Sequence, residues 1–188
     1  MEFWGVIGVI AVLILWFVML YNRLIALRQN RGNAFADIDV QLKLRTDLIP
    51  NLVETVKAYA SHEKGVLEAV TQARASVVSA GNLNSRLAAE ASLGGAISGL
   101  FAVAENYPQL KADANFRQLQ SELADIENKV AAARRFFNNA TSEYNTSVQQ
   151  FPAVLVARLF AFSAQEPFYE LTDEARAQSE NPPKVSFS

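Results

Sequence analysis

The sequence predicts an all-α protein: an N-terminal transmembrane helix continuing into an antiparallel, elongated helical bundle of the four-helix type. Three observations carry this. Residues Phe3 to Leu20 hold no charge and no proline. Beyond them, apolar residues recur at three- and four-residue steps almost to the end of the bundle. No stretch alternates with the two-residue period of a strand for long enough to matter. The expected division is an anchor over residues 1–21, a helical bundle over 22–165, and a largely extended or disordered tail over 166–188.

The anchor comes first. At helical rise the uncharged run covers roughly 27 Å, close to a hydrocarbon core of about 30 Å. Trp4 stands near one end, and Trp16 and Tyr21 near the other, in the manner of an aromatic belt. A cleaved signal peptide is disfavoured, because only Met1 and Glu2 precede the run and the bulky Met19-Leu20-Tyr21-Asn22-Arg23 follows it. A buried core helix would keep a polar stripe, and this run has none. Arg23, Arg28 and Arg31 follow the span and no Lys or Arg precedes it. The positive-inside rule therefore expects the N-terminus outside and the bundle in the cytoplasm. The same three arginines are the candidate lipid-facing residues, through anionic headgroups.

The bundle follows in order. Leu24, Leu27, Phe35, Ile38, Leu42 and Ile49 continue the first helix, with Arg31 and Arg45 where the seam expects apolar residues. Pro50 either starts a second helix or kinks the long one, and Asp47 is the candidate cap. That second helix, with Val56, Val70 and Val77 on its stripe, ends near Ala80 at Gly81-Asn82. A third helix runs from about Leu83 to Glu105. Its Ala91, Gly95 and Gly99 form a small-residue stripe, the candidate helix–helix or oligomer contact. The fourth helix is the clearest element: from Phe116 through Leu123, Val130, Phe137 and Tyr144 to Val148, the seam repeats without interruption. Asn115 with Gln118 resembles a capping box at its start. Phe151-Pro152 breaks it, and the apolar piece Ala153 to Phe162 is expected to fold back on the bundle end.

Chemistry is sparse. There is no cysteine, which removes disulfides, thiolate metal sites and cysteine nucleophiles together. His62 is the single histidine, so two-histidine zinc motifs are excluded. No phosphate loop, nucleophile elbow or dinucleotide fingerprint occurs. A formal charge of −2 supplies no global field for nucleic acid. Neither catalytic residue, metal nor cofactor is expected. Arg45, Asp39 and Arg134 are the candidate register or ion-pair residues, with Asp37, Asp39 or Asp47 as partners for Arg134-Arg135.

Several blocks resemble one family. Tyr21-Asn22-Arg23-Leu24, Asn33-Ala34-Phe35-Ala36-Asp37-Ile38-Asp39 and Asp47-Leu48-Ile49-Pro50-Asn51-Leu52-Val53 carry the likeness at the front. Asn115-Phe116-Arg117-Gln118, Arg134-Arg135-Phe136-Phe137-Asn138, Tyr144-Asn145 and Pro183-Lys184-Val185-Ser186-Phe187 carry it further on. Together they resemble the LemA family over nearly the whole chain. That resemblance implies a bacterial membrane protein with one N-terminal span, hence the inner membrane, and an antiparallel helical domain with no established enzymatic activity. The expectation is a non-enzymatic membrane-anchored scaffold. Its partners would be the lipid bilayer, further copies of itself, and an unidentified membrane or cytoplasmic protein. The alternative is an anionic-lipid-binding or membrane-remodelling module.

Overall fold

In a computed structural model the chain forms six helices among the described residues, 2–81, 83–163 and 165–169. They are α1 (Glu2–Tyr59), α2 (Lys64–Ser79), α3 (Leu83–Glu105), α4 (Pro108–Ala112), α5 (Ala114–Gln149) and α6 (Ala153–Leu159). No strand occurs among these residues. The fold is all-α, and an apolar helix leads directly into the bundle. Residues 170–188, including the Asn181 to Lys184 stretch of the expected tail, lie outside the described residues.

The chain divides into two compact units, and α1 and α5 contribute to both. The first comprises residues up to Val40 together with Val130–Tyr169. Here α1 and α5 pair antiparallel. Arg31 meets Thr141 and Phe35 meets Phe137, four residues forward on one helix and four back on the other. Leu24 and Leu27 pack with Tyr144, Val148 and the buried face of α6, Val156 and Ala157. The seam residues Val130, Phe137, Tyr144 and Val148 are all buried, as their spacing requires.

The second unit comprises Gln41–Lys129. Ile49, Leu52 and Val56 of α1, Leu67 and Val70 of α2, and Leu93, Ile97 and Leu100 of α3 share its core with Phe116 and Leu123 of α5. The antiparallel register between α1 and α5 also holds within this unit: Arg45 meets Glu127 and Tyr59 meets Asp113, fourteen forward and fourteen back. α3 follows α2 after a short connection and packs on it.

Two boundaries depart from the sequence expectation. α1 does not end at Pro50 but runs on to Tyr59, and the chain turns at Ser61-His62 instead. A proline at 50 cannot donate to the carbonyl of Thr46. Arg74 of α2 supplies the missing donor, its Nε 3.0 Å from the Thr46 oxygen. A tertiary contact therefore satisfies a group that local sequence leaves open. Asp47, expected as a cap, lies mid-helix and pairs with Lys43 at 2.7 Å. The cap of α5 is Asp113 rather than Asn115: its Oδ1 accepts the Phe116 N–H at 2.9 Å. Residues 166–169, at the head of the expected extended tail, are extended and held against α5 in the manner set out below.

Candidate functional site

The richest polar constellation lies in the first unit, where an extended segment meets α5. Asn138 and Asn145 are seven residues apart, two helical turns, so both point the same way. Each amide reads one residue's backbone twice. Asn145 accepts from the Glu166 N–H at 3.0 Å and donates to the Glu166 carbonyl at 3.0 Å. Asn138 does the same for Tyr169, at 2.8 Å and 3.2 Å. Seven helical residues rise about 10 Å, and three extended residues cover about 10 Å. The spacing of the asparagines thus matches the spacing of the two residues they hold.

Side chains complete the clasp. Arg31 of α1 places one guanidinium nitrogen 3.0 Å from the Glu166 carboxylate and another 3.3 Å from the Pro167 carbonyl. Its Nε donates to the Thr141 hydroxyl at 3.2 Å, and its plane lies 5.1 Å over the Phe137 ring. Arg134 stacks 4.9 Å over the Tyr169 ring, which is buried and meets Phe137 edge-on. A recess of about 600 Å³ opens beside the segment, between Ser142, Thr146 and Gln149 on one side and Gln165 and Phe168 on the other. Chemically, this arrangement recognises an extended backbone bearing an acid and, three residues on, an aromatic ring. Tyr144, buried beneath it, has its phenol pushed above the ordinary value by that burial first and by the Glu166 charge second.

The residues singled out from sequence fall into three groups. Of the lipid-facing candidates, Arg23 and Arg28 are exposed. Arg31 is not available to lipid: every guanidinium nitrogen is committed inside the first unit, because a planar fork fits the carboxylate, hydroxyl and carbonyl gathered there. Of the small-residue stripe, Ala91, Gly95 and Gly99 all face outward, and a Cβ at either glycine would meet nothing within 4 Å. The close approach within the chain is made by Gly94, where a Cβ would sit 3.2 Å from an Arg45 nitrogen. Of the register residues, Arg45 is buried and lies 2.7 Å from Glu127, Arg134 stacks on Tyr169, and Asp39 is half-buried on α1.

His62 is exposed in the turn after α1, and its neighbour Glu63 accepts the Tyr107 hydroxyl at 3.1 Å. No group of three His, Asp or Glu side chains is placed to hold a metal among the described residues. Sequence reasoning did not single out Asn138, Thr141 and Asn145 as a site. The available signal was the heptad spacing of two amides beside the seam, which reads equally as a solvated face.

Among the described residues, two helices are long and apolar enough to cross a membrane, α1 and α3. In α1 none of the apolar window is buried, whereas a third of the α3 window is. α3 owes its apolarity partly to the core of the second unit.

A protein-family model described as the LemA family matches residues 34–187. Among curated proteins, the chain is similar to the magnetosome protein MamQ of Magnetospirillum gryphiswaldense. The two are 22% identical over 81% of this chain and 66% of that protein. It is also similar to the magnetosome protein MamQ 2 of Paramagnetospirillum magneticum, 23% identical with the same coverage. The chain thus spans about two thirds of the length of these relatives.

Proposed function

This chain belongs to the LemA family, and on that premise we propose that it is a membrane-anchored helical scaffold without enzymatic activity, assembling with further copies of itself or with partner proteins. One observation carries the reading. The uncharged run of α1 from Phe3 to Leu20 has no buried residue, only Phe17 and Leu20 being partly covered, and the same helix continues into the core of the first unit. Water does not tolerate that much uncovered apolar surface on a folded chain, and a bilayer requires it. The polar side chains of the most elaborate constellation are occupied in holding backbone, which suits assembly rather than turnover.

The finer placement is part of the same proposal. The helix crosses a bacterial inner membrane once, N-terminus outward, with Arg23 and Arg28 on the cytoplasmic side below the bundle. The relatives named as magnetosome proteins support membrane association. Mass measurement on detergent-solubilised protein, paired with cross-linking in native membranes, tests the assembly. The expected result is a discrete oligomer or a recurrent cross-linked partner. A monomer that cross-links to nothing contradicts the scaffold.

A further inference from the structure

α6 is apolar on two faces. Val156 and Ala157 fill the core of the first unit beside Leu24 and Tyr144. On the other side Leu155 and Leu159 succeed one another at four-residue spacing and are 58% and 70% exposed, and Phe151, two residues before the helix, is 79% exposed. Arg158 is the one charged residue in the helix. A short helix capping a bundle in water presents a polar outer face. This one does not.

Its location explains why. The Phe160 ring, half exposed, lies 6.2 Å from Phe17 and 4.7 Å from Tyr21, and Phe162 lies 5.9 Å from Tyr21. At the other end of the segment, Phe151, Pro152 and Ala153 share a small recess with Leu20 and Arg23. The whole segment therefore lies against the turns of α1 where the uncharged run ends at Leu20 and Tyr21-Asn22-Arg23 begins. A spanning helix leaves the hydrocarbon at that level.

The geometry points to α6 and Phe151 as a second membrane contact, lying in the plane of the bilayer surface. Phe151, Leu155, Leu159 and Phe160 enter the boundary between acyl chains and headgroups, with Arg23 and Arg158 reaching phosphates. This rests on the reading of α1 as the anchor. Lipid is the occupant rather than another protein because the face continues the exposed apolar surface of α1 at the same level, with Arg23 at its border.

The absence of cysteine makes a direct test available in the full chain. Single variants Val12→Cys, Leu155→Cys, Leu159→Cys and Val78→Cys carry a nitroxide, and the protein is reconstituted in vesicles of phosphatidylglycerol and phosphatidylethanolamine. Collision with oxygen, which concentrates in lipid, is compared with collision with a water-soluble nickel chelate. Oxygen is expected to dominate at 12, 155 and 159, and the chelate at the exposed Val78 of the second unit. Chelate dominance at 155 and 159 with oxygen dominance at 12 overturns the surface contact and leaves the anchor standing. Chelate dominance at all four overturns both. Labels at 155 and 159 shielded from both reagents mean that protein covers the face, which overturns the assignment to lipid.

Discussion

At the scale of single residues, the polar contacts give sharp expectations because each replaces a bond that the backbone lacks. Thr46 is buried, and its carbonyl has lost its helical donor to Pro50. Arg74→Ala should cost about 1–3 kcal/mol, the range for a buried acceptor left unsatisfied. Pro50→Ala restores an N–H at that position, so the loss should shrink in the double variant; equal losses in both backgrounds by urea unfolding would remove the compensation. Ala161 adopts a left-handed backbone, φ 54°, where α6 stops and the Phe162 N–H reaches back to Ala157. Ala161→Gly relieves a conformation that costs an L-residue about 1–2 kcal/mol, and thermal melting should register the gain. Asp113 has its carboxyl held below the ordinary 3.8 by the Phe116 N–H and then by the Tyr59 hydroxyl. Tyr59 is held above 10.0 by its hydrogen bond to Asp113. A lowered acid stabilises above its unfolded value and loses that contribution as the pH falls through the folded one. A raised phenol stabilises below pH 10 and loses its contribution as the pH rises. The stability difference between the native chain and Tyr59→Phe should therefore be level from about pH 4 to 10 and contract on either side. None of these partners is readable from sequence, since all three depend on residues brought together from different helices or on a terminal backbone angle.

At the scale of elements, periodicity was informative and exposure was not. The α5 seam is legible because a heptad repeat states which face is buried, and the antiparallel partner follows from length. The small-residue stripe of α3 reads equally as a helix–helix contact inside the bundle and as a contact between copies. A stripe of Ala91, Gly95 and Gly99 has the same appearance whether it meets a neighbouring helix or nothing. Since no atom lies near a Cβ at 95 or 99, Gly95→Ala and Gly99→Ala should each stabilise the chain by about 0.5–1 kcal/mol through helix propensity. Gly94→Ala should gain less, because Arg45 must shift. If stability rises while the oligomer dissociates, the stripe belongs to an interface between copies. The docking of residues 166–169 escaped the sequence because four non-helical residues leave no periodic pattern, whereas here the order comes from amides on another element. Asn138→Ala with Asn145→Ala should release it, making residues 166–169 rapidly cleavable by protease while the helical circular dichroism stays unchanged.

At the scale of the whole molecule, the uncharged opening run was the plainest signal in the chain, and the all-α fold follows from the patterns behind it. The proposed anchor predicts retention in the pellet after alkaline carbonate extraction, and appearance of the intact chain in the supernatant would defeat it. The candidate site was far less legible than the fold, for a physical reason. Burial repeats along a helix and leaves a periodic trace, while a clasp is made of a few residues met once. The continuity of α1 from Phe3 past Leu27 has a mechanical corollary. A rod without a joint cannot bend where it emerges, so any inclination that acyl-chain length imposes on it must swing the Leu24 layer and the side chains stacked there through the same angle. Bilayer thickness would then be felt directly by the folded part as lever motion.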